Sequence, residues 1–327
     1  MLGPAFRTTD AHDSGWSRWS TRGVRMLQPT RGVRSLEPLR GVGHQAAAFA
    51  LALPGDVVFS HTTAARLWGI PLPRGLQADA DLHIMRGAAR APIERTGTVS
   101  HRGLERRVIR EVDGLRVTSL ADTWCDLIAA SHRWIHLRDV VMVGDAVVEL
   151  LQPTRLRLET HPLAEPGTSD WWLDPVAAGC GVLLDRLRER RRFRGRRLAL
   201  EAIQLVRPRV WSPAESHTRM VGVEVELPEP ELNASIRYEG GGFVIGIGDL
   251  VWGRRKPART RLVGEYQGRQ SEGVGIHREE EASRAADNER CERMRSQGWT
   301  VMEIYSKDVY TDAGRGALAT RLRSYLG

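Results

Sequence analysis

Two neighbouring strand-like segments near the C-terminal end of the sequence each carry an acidic residue, and this pattern constrains the fold more than any other feature. Residues 243–252 and 261–267 are apolar stretches typical of strands, and they contain Asp249 and Glu265. Because successive strand side chains point to opposite faces, Glu265 and Gln267 share one face. Burying such carboxylates without a cation is costly. The pattern therefore predicts a site for a hard divalent cation, Mg²⁺ or Mn²⁺.

The elements around these acids follow a definite order. A Ser-Pro-Ala-Glu motif at 212–215 combines a helix N-cap, a proline at the first helical position and an acid in the first turn, Glu215. Strand-like segments follow at 233–238, 243–252 and 261–267, then a long polar helix at 278–297, a strand at 299–305 and a helix at 314–325. The predicted order is αβββαβα, an α+β domain with a mixed sheet.

This C-terminal stretch, 212–326, resembles the PD-(D/E)XK nuclease superfamily, in particular its branch related to very-short-patch repair endonucleases. The resemblance is carried by Ser-Pro-Ala-Glu-Ser at 212–216, Gly-Asp-Leu-Val-Trp at 248–252, Glu-Tyr-Gln-Gly at 265–268, Asp287, Arg290, and Gly-Trp-Thr-Val at 298–301. It implies a restriction-endonuclease-like αβββαβ core with a mixed sheet, and hydrolysis of phosphodiester bonds in DNA.

The same resemblance implies roles for individual residues. Asp249 and Glu265 would bind Mg²⁺ or Mn²⁺, and Glu215 would assist from its helix. Gln267 stands where relatives usually have lysine. His277, Asp287 and Arg290 are candidates for assisting roles, although residues 269–276 form an insertion that separates His277 from the Glu-x-x-Gly motif.

Two functions from different classes fit these residues. The first is a divalent-metal-dependent DNA endonuclease with a repair-like or defence-like role. The second is a non-catalytic DNA-binding transcriptional regulator of antitoxin type with a degenerate nuclease fold. Gln267 favours the regulator, because an amide cannot supply the positive charge that a lysine offers to developing negative charge. The retained pair of acids favours the enzyme.

The residues before this domain divide into three predicted segments. Residues 1–43 are either a basic low-complexity leader or a winged-helix remnant. Residues 44–152 are predicted to form a smaller α+β domain, and their stretches at 59–65, 98–102 and 117–123 resemble the AbiEi antitoxin-like region of two-part actinobacterial proteins. That resemblance brings a toxin–antitoxin-like protein partner into consideration. His61 and His101 are interpreted as structural, and Asp122 and Asp126 as a solvated or capping pair.

Residues 153–205 are predicted to be a helical, arginine-rich linker before the nuclease-like domain at 206–327. Eight arginines occur within residues 186–197, and the formal net charge of the chain is +8. Basic residues bind phosphates, so we predict DNA binding by this run, specifically by Arg188, Arg190, Arg191, Arg192 and Arg194. The alternative is a solvated helix face, since only two of the 48 basic residues are lysines and the whole chain is biased towards arginine.

Composition and segment lengths exclude some classes of protein. The longest apolar stretch, 46–53, is too short to span a bilayer, and the N-terminal residues lack the apolar core of a signal peptide. We therefore expect a cytoplasmic protein without membrane contacts, and a homodimer is compatible with the sequence. Three widely spaced cysteines, an odd number, predict reduced buried thiols.

Overall fold

The computed structural model describes residues 5–23, 25–152, 179–238, 243–253, 260–267 and 277–327, with side chains from residue 286 onwards in the last range. The chain divides into two compact units. Unit 1 comprises Met1–His136 and Val182–Glu201, and unit 2 comprises Leu137–Gly181 and Ala202–Gly327. Among the described helices, none is long and apolar enough to cross a membrane.

Unit 1 is built on a five-stranded mixed sheet with the strand order β5-β4-β3-β7-β6. Its strands are β3 (Val58–Phe59), β4 (Leu82–Arg86), β5 (Thr98–Arg102), β6 (Ile109–Val112) and β7 (Leu115–Thr118). Within residues 1–43, which were predicted to be a leader or winged-helix remnant, β1 (Ala5–Arg7) pairs antiparallel with β2 (Val33–Ser35). The helices of this part of the chain are α1 (Thr8–Asp13), α2 (Gly41–Ala50), α3 (His61–Trp68), α4 (Arg74–Gln77), α5 (Leu120–Ser131), α7 (Gly181–Glu189) and the first residues of α8 (Arg196–Leu205).

Helix α5 carries two buried carboxylates into the core of unit 1. Asp122 accepts hydrogen bonds from the Val108 N–H and the Ser119 hydroxyl, both at 2.8 Å. Asp126 pairs with Arg107 at 2.7 Å and with Arg190 at 2.8 Å. Both acids are almost fully inaccessible to solvent. The interpretation of these acids as a solvated pair is therefore wrong, because their charges are balanced by arginines rather than by water, although Asp122 does take part in the helix cap.

Unit 2 contains the four-stranded mixed sheet, in the order β11-β10-β9-β8. Strands β8 (Glu231–Arg237), β9 (Val244–Trp252) and β10 (Leu262–Gln267) are successively antiparallel, and β11 (Thr300–Tyr305) runs parallel to β10. The helices of unit 2 are α6 (Leu137–Leu151), α9 (Pro213–Glu224), α10 (His277–Ser296), α11 (Ser306–Tyr310) and α12 (Asp312–Leu326). The α+β class is thus confirmed, and from α9 onwards the order matches the predicted αβββαβα apart from the short added helix α11.

The two faces of this sheet pack against different helices. On one face Leu250, Leu262 and Ile304 form a core with residues of α9 and α12, including Val221, Leu318 and Leu322. On the other face Val251 and Val263 pack with Met294 of α10 and with Trp299. Because Glu265 lies two residues after Val263, its side chain belongs to the α10 face. The three cysteines are free and buried, as expected.

A buried ion pair ties α6 to α9 within unit 2. Asp145 and Arg219 are both fully inaccessible, and their side chains lie 3.3 Å apart. Asp145 also accepts hydrogen bonds from the Arg207 N–H at 2.8 Å and the Ser216 hydroxyl at 2.7 Å. Among the described residues, Arg219 Nε has no hydrogen-bond partner, while the carboxylate of Asp145 is hydrogen-bonded through both oxygens. Removing one partner of a buried ion pair leaves the other charge buried without compensation.

Replacing Asp145 with alanine should therefore destabilise the protein by roughly 3–5 kcal/mol, the range typical of breaking a buried ion pair. Urea unfolding followed by circular dichroism measures the loss. The matched control is Asp185→Ala, which removes a carboxylate that pairs with Arg188 on an exposed surface, where such pairs contribute about 1 kcal/mol or less. Equal losses in the two variants would contradict a stabilising role for Asp145.

Candidate functional site

Asp249 and Glu265 are brought together by the antiparallel pairing of β9 with β10. The paired residues end at Leu250 opposite Gly264, so Asp249 and Glu265 are the next residues along the two strands. They are close enough for the charge of Asp249 to raise the pKa of Glu265. The Asp249 side chain reaches the neighbouring strand, since its Oδ2 accepts a hydrogen bond from the Tyr266 N–H at 2.8 Å. The predicted convergence of two acids from successive strands is therefore present.

Glu265 is the more buried of these two acids, with only 2% of its surface exposed. Its Oε2 accepts a hydrogen bond from Arg290 Nη2 at 2.8 Å. Its Oε1 is buried and has no hydrogen-bond partner among the described residues. Burial raises the pKa of Glu265 to about 8, with the nearby charge of Asp249 adding to the effect and Arg290 opposing it.

Glu215 lies at the start of α9, where the Ser212 hydroxyl caps the helix by accepting a hydrogen bond from the Glu215 N–H at 3.2 Å. The Glu215 carboxylate accepts hydrogen bonds from the Trp211 N–H at 3.0 Å and from the Asn233 amide. Burial raises the pKa of Glu215 to about 7, and the charge of Asp249 contributes to the increase. Burial also raises the pKa of Asp249, against the Tyr266 N–H and Arg290, which lower it. The charge of Asp249 thus raises the pKa of both glutamates.

Asn233 is a residue of this site that the sequence did not reveal. It lies in β8 between Leu232 and Ala234, which both pair with residues of β9, whereas Asn233 itself is not among the paired residues. Its φ is 45°, a left-handed conformation that asparagine tolerates better than most residues. Its amide nitrogen donates to Glu215 and, at 2.7 Å, to the Arg209 carbonyl. An asparagine inside a strand was the available signal, because asparagine is depleted in strands.

Arg290 of α10 crosses over β9 to reach Glu265. Its Nη1 donates to the Ile247 carbonyl, and its stem occupies the space above Gly246. A Cβ atom at Gly246 would lie 2.9 Å from both Cγ and Cδ of Arg290. The absence of a side chain at residue 246 is therefore what lets α10 bring a guanidinium to the acids.

The remaining predicted residues lie at the periphery of this cluster or outside the described side chains. Gln267 is half-buried on the same strand face as Glu265, opposite Tyr305 of β11. Asp287 is half-exposed, with its Oδ1 3.5 Å from Arg290. His277 begins α10, but its side chain lies outside the described ones. Glu215, Asp249 and Glu265 do not form a three-ligand group with all ligand atoms within 4.8 Å of one another; among the described residues only three histidines of unit 1 do.

The arginine run in unit 1 separates into one buried residue and several exposed ones. Arg190 is buried and pairs with Asp126 at 2.8 Å and with Asp122 at 3.4 Å, so its guanidinium serves the core. The other four arginines that were predicted to bind DNA are exposed, namely Arg188, Arg191, Arg192 and Arg194. A cavity of about 650 Å³ is lined mainly by cationic side chains, namely Arg106, Arg107, Arg186, Arg190, Arg191 and Arg192.

Comparisons with known proteins add little to this geometry. No protein-family model matches the sequence, and no curated protein matches it. A solved structure, the Rv2827c protein from Mycobacterium tuberculosis, is similar at 18% sequence identity over 60% of this chain and 76% of that chain, with a TM-score of 0.33. A likeness this weak carries no argument about fold or function, so both rest on the residues themselves.

The raised pKa of Glu265 makes stability depend on pH in a defined direction. The folded protein binds this proton more tightly than the unfolded chain, whose carboxyl has the ordinary pKa of 4.5. Glu265 therefore stabilises the fold below about pH 4.5, and that contribution is lost as pH rises towards 8. In metal-free buffer, Glu265→Gln should gain stability relative to wild type between about pH 5 and pH 9, by on the order of a few kcal/mol.

Urea unfolding of wild type and Glu265→Gln at several pH values measures this difference. Glu292→Gln is the control, because it removes a glutamate from the surface of α10, where the side chain is 71% exposed. A stability difference between Glu265→Gln and wild type that stays constant over the range from about pH 5 to pH 9 would show that burial does not shift the titration of Glu265.

Proposed function

We propose that this chain is a divalent-metal-dependent DNA endonuclease whose metal site is formed by Asp249 and Glu265. The observation that carries the proposal is the buried, unpartnered Oε1 of Glu265 beside a second largely buried carboxylate. We also propose that unit 2 has the restriction-endonuclease-like core of the PD-(D/E)XK superfamily. Its helix–strand order and its mixed four-stranded sheet support this, because they agree with what the sequence motifs imply.

The residues fit a hard divalent cation by charge and by donor type. Two acids, Asp249 and Glu265, face one guanidinium, that of Arg290. Burial together with the charge of Asp249 raises the pKa of Glu265 and of Glu215. Magnesium commonly takes one or two carboxylates together with water and substrate phosphate oxygens, so a two-carboxylate site is sufficient. When bound, such an ion supplies Lewis-acid polarisation of the phosphate and a more acidic water.

Each of the two carboxylates has one oxygen fixed by the protein. Asp249 Oδ2 is held by the Tyr266 N–H, and Glu265 Oε2 is held by Arg290. Among the described residues, Oε1 of Glu265 has no hydrogen-bond partner, so this acid keeps one oxygen available as a ligand. These hydrogen bonds orient the carboxylates before any substrate binds, so the site does not have to reorganise during the reaction.

Glu215 and Gln267 would act through position rather than as direct ligands. Glu215 is held by Asn233 and the Trp211 N–H, and its pKa of about 7 suits a group that exchanges a proton with water near neutral pH. Gln267 would orient the attacking water or a phosphate oxygen with its amide. The positive charge that a lysine would bring at residue 267 would come from α10 instead, through Arg290.

One observation favours the second candidate, a DNA-binding regulator with a degenerate nuclease fold. The Arg290 guanidinium already neutralises part of the charge on Glu265, and Gln267 is uncharged. In that case the ion pair would replace the metal rather than orient its ligand. Cleavage assays separate the two functions.

Purified protein should nick or cut DNA only in the presence of Mg²⁺ or Mn²⁺. Asp249→Asn and Glu265→Gln should reduce the single-turnover rate by at least the roughly 10²–10³ that accompanies loss of one preorganised polar group. The isosteric changes preserve packing, and circular dichroism checks the fold. Glu292→Gln on α10 is the control and should cut at the wild-type rate.

The variants of Gln267 show whether a failure of the wild-type protein to cut DNA means that it is a relic, a nuclease fold that has lost its activity. In a working site Gln267→Ala slows cleavage while DNA affinity stays nearly unchanged, and Gln267→Lys retains activity. If wild type and Asp249→Asn are equally inactive and only Gln267→Lys cuts, the natural protein is a relic and the regulator function replaces the enzyme. If no variant cuts any DNA tested with either metal, the endonuclease proposal is wrong.

DNA contact is proposed for the exposed arginines of unit 1. Replacing Arg191, Arg192 and Arg194 together with alanine should weaken binding to all sequences alike and reduce the salt slope by about 0.9 for each phosphate that is no longer neutralised. Binding isotherms at several salt concentrations measure this. The matched control is Arg190→Ala, which should lower stability instead, because it leaves Asp122 and Asp126 buried with less compensation. An unchanged salt slope in the triple variant would identify the run as a solvated surface.

A further inference from the structure

Three histidines of unit 1 converge although they lie on separate elements. His61 begins α3, His83 lies in β4 and His101 lies in β5. Each contributes one ring nitrogen to a group in which all such atoms lie within 4.8 Å of one another. His101 Nε2 and His83 Nδ1 are 3.0 Å apart, and the His61 ring stacks on His101 with centroids 3.7 Å apart. The cluster arises because β4 and β5 are parallel neighbours, with Met85 opposite His101.

The histidines are largely withdrawn from solvent and held in their neutral form. His61 is 7% exposed, and the side chain of His83 is 12% exposed. Burial lowers the pKa of His61 to about 3 and that of His101 to about 4. Burial also lowers the pKa of His83, against the opposing effect of Asp79. Neutral imidazole with a free lone pair is the form that binds metal ions.

The outer nitrogens of two of these rings have partners of the kind that orient metal ligands. His83 Nε2 lies 2.7 Å from Asp79 Oδ2, and the same oxygen accepts a hydrogen bond from the Thr62 hydroxyl at 3.0 Å. His61 Nδ1 lies 3.0 Å from the Ser60 hydroxyl, which leaves Nε2 of that ring for the cluster. A carboxylate on the far nitrogen of a histidine fixes its tautomer and its direction, and it is a recurrent companion of metal-bound histidine.

The backbone conformation of His61 and the spacing of the ring nitrogens also favour metal binding. His61 has a φ of 50°, an uncommon conformation for a residue other than glycine and one typical of positions that the surroundings impose. Two nitrogens bound to one tetrahedral zinc ion lie about 3.3 Å apart, given bonds of about 2.0–2.1 Å. His83 Nδ1 and His101 Nε2 share a hydrogen bond of 3.0 Å, which is close to that spacing, and a bound metal ion would take the place of the shared proton.

We propose that His61, His83 and His101 form a binding site for a divalent transition-metal ion of the zinc type, with Asp79 orienting His83. Imidazole donors select such ions over magnesium, which prefers oxygen ligands. The site is distinct in chemistry from the carboxylate pair of unit 2, and it does not depend on the endonuclease function. Three protein ligands leave a coordination position for water or another small ligand.

Metal content of the full-length, tag-free protein tests the proposal. After dialysis against a chelator, incubation with excess Zn²⁺ and gel filtration, wild type should retain one zinc ion per chain. His83→Gln and His101→Gln should lose it, while Asp79→Asn should keep it with affinity reduced about 10–100-fold, the usual effect of removing an outer-shell partner. Cobalt substitution gives a second readout, since its visible absorption bands should appear in wild type and disappear in the histidine variants.

Two controls isolate the site. His44→Gln removes a histidine of α2 that lies outside the cluster and should retain the full zinc content. Asp249→Asn removes a carboxylate of unit 2 and should also retain it, which excludes zinc bound at the acidic site. Circular dichroism confirms that each metal-free variant is folded. The proposal is overturned if wild type retains no zinc, or if His83→Gln and His101→Gln retain as much as His44→Gln; the histidines then form a hydrogen-bonded core without metal.

Discussion

The contact between Arg290 and Glu265 is the interaction on which the acidic site of unit 2 depends. It supplies the positive charge closest to two carboxylates that burial would otherwise protonate. The stem of Arg290 occupies the space that a side chain at residue 246 would fill. One guanidinium does not balance the acids fully, as the raised pKa of Glu265 shows. The site therefore retains a deficit of positive charge in a region of low solvent access, which a bound cation would relieve.

In unit 1, by contrast, the buried carboxylate of Asp126 is fully paired with arginines. Asp126 would be destabilised by burial, yet Arg190, His61 and Arg107 together lower its pKa. The carboxylate of Asp126 forms ion pairs with two arginines from separate parts of the chain. Its charge therefore stabilises the fold and is not available to bind a metal ion. The comparison separates two kinds of buried acid in one protein. Those with both oxygens engaged stabilise the fold, and those with an oxygen left over, such as Glu265, are candidates for chemistry.

The sequence predicted those features that depend on local pattern. Strand periodicity placed Glu265 and Gln267 on one face, and the Ser-Pro-Ala-Glu motif located the start of α9 to the residue. Features that depend on long-range pairing were missed. Arg190 resembles its neighbours in sequence, and only the packing of α5 reveals that it is buried. His83 had no local motif, and its meeting with His61 and His101 follows from the sheet order of β3, β4 and β5.

The left-handed backbone conformation of Asn233 affects the edge of the four-stranded sheet. Strand β8 is at an edge of the described four-stranded sheet, where unpaired N–H and C=O groups could recruit a strand from another molecule. The left-handed conformation of residue 233 and the register shift between Ile236 and Arg237 make this edge strand irregular. An incoming strand would find only short stretches with matching hydrogen-bond spacing. The residue that orients Glu215 thereby also makes this edge a poorer template for β-sheet extension.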